Sequence, residues 1–206
     1  MNKLLTLTLV ILTFGLAGCS ESTEPTEGKH YESLPVNLST FRVEPVIEVF
    51  SLHCSHCRKM EQALPELEQL VGQSFGKVHV TFNESAQVGA MIYYSAQMQL
   101  GHTPDHAMMT ELFAAAQMGD GASLEDKKQA IDAAFETRNL TSPYNLDNDQ
   151  QSQLFKKIER AHEMTTQGQI NAVPMFIVKG KYRILTSAHS DIADIANTIQ
   201  FLLAQP

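Results

Sequence analysis

Three residues separate a short apolar run, Val46-Ile47-Glu48-Val49-Phe50, from Cys54, and Cys57 follows three positions later. The run is rich in β-branched residues and reads as a buried strand. From Cys54 toward Leu70 the apolar spacing becomes helical, with Pro65 predicted to bend the helix. A chain that turns from buried strand to helix within a few residues is building an α/β unit. A second strand is predicted where Val78, Val80 and Phe82 alternate with His79 and Thr81.

The rest of the chain extends this pattern. Val88, Met91, Ile92 and Ala96 recur at helical spacing, as do Met109, Leu112, Phe113 and Ala116. Leu124, Ile131, Ala134 and Phe135 do the same behind a cap at Ser123. Leu154, Ile158 and Ala161 mark a further helix, and all these stripes read as core-facing. The methionines at 91, 98, 108, 109 and 118 suit helical packing better than a soft metal site. Val173-Pro174-Met175-Phe176-Ile177-Val178 is strand-like, Lys179-Gly180-Lys181 a turn, and Tyr182 to Leu185 the returning strand of a hairpin. Ile192, Ile195, Ala196, Ile199, Leu202 and Leu203 form the apolar face of a last helix. The fold class is therefore α/β. Apolar strands need both faces covered, and the first and last helices are expected to cover them. The middle helices, about 83–168, then form an inserted cap.

The N-terminus stands apart. Met1-Asn2-Lys3 is a short positive start, and the apolar stretch Leu4 to Phe14 is shorter than the roughly 20 residues a spanning helix needs. It reads as a secretory signal. Leu16-Ala17-Gly18-Cys19 resembles a bacterial lipobox, in which the cysteine is acylated and becomes the new N-terminus; the other reading is an ordinary signal peptide with an incidental cysteine. A polar stretch rich in Glu, Ser, Thr and Pro follows. The expected organisation is a signal peptide at 1–18, a lipid-anchored flexible tether at 19–35 and a globular domain at 36–206. Such a tether would span on the order of 20 Å. Ser20 after Cys19 is similar to the bacterial sorting signal for the outer membrane, so the expected location is the periplasm, anchored at that membrane. A net charge of −8 with no basic block argues against nucleic acid. Nothing marks a dimerisation segment, so a monomer is the default.

If Cys19 carries lipid, two of the three cysteines remain. Disulfide-stapled secreted domains carry more cysteines at wider spacings. Residues three apart at a helix start have Cβ atoms about 5–6 Å apart, close enough to open and close a disulfide with little backbone motion. Unpaired N–H groups and the positive helix end at Cys54 favour a thiolate. His56, between the cysteines, can add a donor or a positive charge. A structural bridge over three residues would contribute little stability. Zinc normally takes four ligands, and haem attachment needs a histidine where Arg58 stands. A metal carrier using His53, His56 and both cysteines remains a competing reading from a different functional class. Redox catalysis by Cys54 and Cys57, with no metal and no other cofactor, leads.

Glu48-Val49-Phe50-Ser51 before Cys54-Ser55-His56-Cys57, with Val173-Pro174 and Gly180-Lys181-Tyr182 later, resembles the DsbA family of bacterial disulfide oxidoreductases. The resemblance covers nearly all the chain after Phe41. It implies a thioredoxin-like fold with an inserted all-helical domain and a thiol–disulfide oxidoreductase activity. It further implies that Cys54 is the reactive cysteine, Cys57 the buried one, and that the two form the redox disulfide. Pro174 would be a cis-proline facing them, and the Val173 backbone would pair with an extended substrate. Glu48 would be a buried acid beneath the cysteines. Implied partners are exported protein thiols and a DsbB-like quinone reductase in the membrane, or another redox partner. The leading reading is an oxidase that donates disulfides to exported proteins; many DsbA proteins carry proline where Ser55 stands, so a reductase or isomerase is the alternative.

Overall fold

The computed structural model describes residues 24–119 and 121–206. The signal peptide and Cys19 lie outside the described residues. Five strands form one sheet in the order β1-β5-β4-β2-β3. β2 (Val46–Phe50) lies near the middle, parallel to β3 (Gly76–His79) and antiparallel to β4 (Met175–Val178). β5 (Tyr182–Ile184) pairs antiparallel with β4. Every residue of β2, β3 and β4 is buried, as expected of strands covered on both faces.

The helices divide between those faces. α1 (Ser55–Val71) and α6 (Ile192–Ala204) pack on one another and on the same face, against Val46, Phe176 and Val178. This corrects the expectation that the first and last helices lie on opposite faces. The other face, carrying Ile47, Val49 and Ile177, is covered by inserted helices and by a 3-10 turn at Leu38–Phe41. The insertion comprises α2 (Glu84–Leu100), α3 (His106–Ala116), α4 (Leu124–Glu136) and α5 (Asn148–Gln167). Its helices thus complete the main core as well as capping it. The physical reason is economy of apolar surface: Met108, Leu112, Phe113 and Phe135 need the same core that Ile47 and Val49 present.

Local chemistry sets the boundaries. β3 stops at His79 because Asn83 caps α2, its side chain accepting the Ala86 N–H at 2.9 Å. Phe82, expected on the strand, is instead 46% exposed. Ser123 and Asp126 form a capping box at α4. Leu124, in that first turn, is 87% exposed, and burial falls to Ile131, Ala134 and Phe135. Val88 of the α2 stripe is also exposed. Gly180 has φ +65°, and a Cβ there would meet the Ser39 nitrogen at 2.6 Å, so the hairpin turn can seat on the 3-10 turn only as glycine.

The expected tether is too long. Its later part forms β1 (Tyr31–Ser33), antiparallel to β5. Leu34 N–H donates to the Lys181 carbonyl at 2.7 Å, and Tyr31 packs edge-on against Tyr182. The extra strand pairs an edge that β5 would otherwise leave open. Among the described residues, no helix is long and apolar enough to cross a membrane.

Candidate redox site

β2 delivers the chain to the end of the sheet, and α1 begins there with Cys54 as its N-cap. The Cys54 sulfur accepts the Cys57 N–H at 3.1 Å, the place usually taken by a Ser or Asp oxygen. Cys54 is partly exposed, whereas Cys57 is fully buried, and both are free thiols. Burial pushes the Cys57 thiol strongly up, and its contact with Cys54 adds to the rise. The asymmetry suits a pair in which one sulfur meets the partner and the other stays inside.

The Val173–Pro174 peptide bond is cis. The Cys54 thiol donates to the Val173 carbonyl at 3.7 Å, across 119 positions of sequence. The C-terminal end of α3 is tied to the loop before α1: Gln117, the C-cap of α3, donates to the carbonyls of Leu52 at 2.7 Å and Cys54 at 3.1 Å. From the other side the Leu52 N–H donates to His79 Nε2 at 2.8 Å. The His79 proton therefore sits on Nδ1, which donates to the Val80 carbonyl at 2.7 Å. Burial pulls the His79 pKa down to about 3, so the ring is neutral and fixed in one tautomer. Cys54 N–H completes the loop by donating to the Ser51 carbonyl at 3.0 Å.

Beneath the cysteines lies a chain of ionisable groups, buried at Glu48, Lys77 and Glu61. Glu48 is fully buried and pairs with Lys77, directly opposite it on β3. Lys77 Nζ also donates to Glu61 of α1 at 2.7 Å. The other Glu61 oxygen lies 2.7 Å from His106 Nδ1, and His106 Nε2 lies 3.4 Å from Glu68. Burial raises the Glu48 pKa, and Lys77 opposes the rise. Burial alone would pull Lys77 down, but the carboxylates Glu48 and Glu61 outweigh it and hold the ammonium charged. Glu48 Oε1 is buried with no protein hydrogen-bond partner among the described residues.

The sequence-singled residues thus separate. Cys54, Cys57, Val173 and Pro174 meet at one place, with Glu48 in the buried layer whose charge bears on Cys57. His56 is exposed on the first turn of α1, and the loop is held by His79 and Gln117 instead. His53 is exposed too, though partial burial, with Lys127 nearby, pulls its pKa down. Among the described residues, no group of three or more His, Cys, Asp or Glu is placed to hold a metal ion. Lys77, Glu61, His79, His106 and Gln117 escaped the sequence reading. Lys77, a charge within the buried stretch before Val78, was a usable signal; Gln117 offered none.

A family model described as thioredoxin matches residues 44–200. The chain belongs to the thioredoxin family. Solved structures with this fold include DsbA of Klebsiella pneumoniae, at 20% identity and TM-score 0.66, covering 89% of this chain and 100% of that one. DsbL of Salmonella enterica serovar Typhimurium matches at 19% identity and TM-score 0.63, covering 90% and 100%. DsbA of Proteus mirabilis in complex with a non-covalently bound peptide matches at 18% and 0.62, covering 88% and 100%. No curated protein matches the chain. Within the thioredoxin family, this chain therefore has the DsbA fold, with helices inserted between β3 and β4.

Proposed function

We propose that this protein is a thiol–disulfide oxidoreductase of the bacterial cell envelope that donates a Cys54–Cys57 disulfide to exported proteins. The observation that carries the reading is the meeting of an accessible Cys54 sulfur with the Cys57 amide and the Val173 carbonyl, above a fully buried Cys57. A substrate thiolate attacks Cys54 Sγ of the oxidised pair. The Cys54–Cys57 bond breaks and the Cys57 sulfur leaves with the electron pair, then takes a proton, since burial disfavours its thiolate. Glu48, whose pKa burial raises and whose charge bears on Cys57, would tune or supply that proton. A second substrate thiolate attacks the substrate sulfur of the mixed disulfide and releases Cys54 as a thiolate. The substrate gains one disulfide, and the protein is left as a dithiol for a redox partner of the cell envelope to reoxidise. The Val173–Pro174 edge would receive the extended substrate chain; the peptide bound to the Proteus mirabilis relative supports a peptide substrate.

The test is oxidation of a reduced, unfolded protein, abolished by Cys54→Ser, together with the reduction potential. A value near −120 mV supports an oxidase, and one near −270 mV a reductase. In cells, thiol alkylation that finds the pair mostly reduced would assign the reductase or isomerase role. Acylation at Cys19 and an outer-membrane location complete the proposal. Palmitate labelling that disappears in Cys19→Ser, followed by membrane fractionation, tests both.

A further inference from the structure

A groove of about 930 Å³ opens between α2 and α5, away from the cysteines' own contacts. Its walls are apolar: Val88 and Met91 on α2, Leu154, Phe155 and Ile158 on α5, with Leu146 from the connecting segment. Two of these are left open, Phe155 at 66% and Val88 at 47% exposure. Opposed exposed apolar side chains lining a concave surface mark a binding site better than scattered ones do. Glu84 and Glu159 also line the groove, whereas no Lys or Arg does among the described residues.

The residues next to one wall of the groove touch the redox loop. Thr81, in its wall, follows Val80, whose N–H donates to the Phe50 carbonyl just before that loop. Gly89, next to Val88, lies so close to His53 that a Cβ there would be 3.2 Å from His53 Nδ1. A polypeptide engaged at Cys54 therefore has neighbouring segments within reach of the groove.

We infer that the groove between α2 and α5 holds an apolar segment, flanked by lysine or arginine, of the same unfolded polypeptide whose thiols react at Cys54. This deepens the oxidoreductase reading and rests on it. Folded proteins bury such segments, and unfolded ones display them, so the groove would direct oxidation to chains that have not yet folded. The carboxylates of Glu84 and Glu159 supply the attraction for the flanking cations.

The experiment compares full-length protein with Phe155→Asp and Val88→Asp, whose exposed positions leave the core untouched. Each variant is first checked for unchanged far-UV circular dichroism. The substrates are a reduced, unfolded protein and a short polar dithiol peptide. The expected result is a KM for the unfolded protein raised about tenfold, with kcat and peptide oxidation unchanged, a change worth roughly 1.4 kcal/mol. Equal KM values in wild type and variants would overturn the inference, as would an equal rise for the short peptide. A second arm uses a cysteine-free apolar peptide flanked by lysines. Binding to wild type, lost in Phe155→Asp and weaker when the flanks are glutamates, supports the groove even if no thiol is oxidised. If thiols are oxidised but this peptide does not bind, the groove fails and the redox reading stands. A wild-type dimer in sedimentation that Phe155→Asp dissociates, with KM unmoved, would assign the groove to self-association instead.

Discussion

Replacing His79 with Gln should flatten the acid limb of the stability curve. The wild-type ring is buried, neutral and held near a pKa of about 3 by burial, while an unfolded histidine titrates near 6.5. Between those values the unfolded chain binds more protons than the folded one. Stability from His79 is thus fully present above the unfolded pKa and is lost as pH falls toward the folded one. The linkage relation puts the loss at about 2 kcal/mol by pH 5 and about 3 kcal/mol by pH 4. Glutamine keeps an acceptor for the Leu52 N–H, which His79 Nε2 meets at 2.8 Å in the wild type, but it cannot titrate in this range. Urea midpoints at pH 7 and pH 5 measure the difference. His79→Gln should cost stability at pH 7, because the bond to the Val80 carbonyl is disturbed. It should then lose about 2 kcal/mol less than wild type on acidification. Equal losses in both proteins would show that His79 is not the buried neutral group described above.

Other perturbations probe the remaining contacts. Lys77→Met leaves Glu48 and Glu61 buried without their cation and should cost about 3–5 kcal/mol at pH 7 in urea unfolding. Because Lys77 holds the Glu48 pKa down against burial, its removal raises that pKa further. The penalty should shrink as the pH falls and Glu48 protonates, and Lys77→Met with Glu48→Gln should recover part of it. Gln117→Ala removes both bonds to the Leu52 and Cys54 carbonyls and should destabilise by about 1–3 kcal/mol. Its alkylation rate at Cys54 should change while that of a Leu124→Ser control does not. Gly89→Ala would place a Cβ 2.6 Å from His79 Nε2. It should cost about 1–3 kcal/mol by overpacking, read from the thermal midpoint.

Legibility in the sequence followed the range of the interactions. The β2–Cys54–α1 passage could be read because burial, helix capping and cysteine spacing are encoded within a dozen neighbouring residues. Ser123 was readable as a cap for the same reason, through a bond only three residues long. Glu48 was named only through the family resemblance, and its partner Lys77 lies 29 positions away and is set opposite by the β2–β3 register. Periodicity also promised burial at Val88 and Leu124, yet it reports only which side a residue takes. Whether that side meets a partner depends on helix packing, and both remain exposed.

By itself, then, the sequence determined the α/β class, the order of elements, and the strand-to-helix step that makes Cys54 an N-cap. These follow from local periodicity and from backbone groups that must be satisfied within a turn or two. Only the tertiary structure decided that α1 and α6 share a face, that residues of the expected tether add a fifth strand, and that Val173, His79 and Gln117 converge on the cysteine loop. Those contacts join residues between 27 and 119 positions apart along the loop's bonds. At such separations no local preference selects the partner, and only a packed core with a defined sheet register brings the groups together.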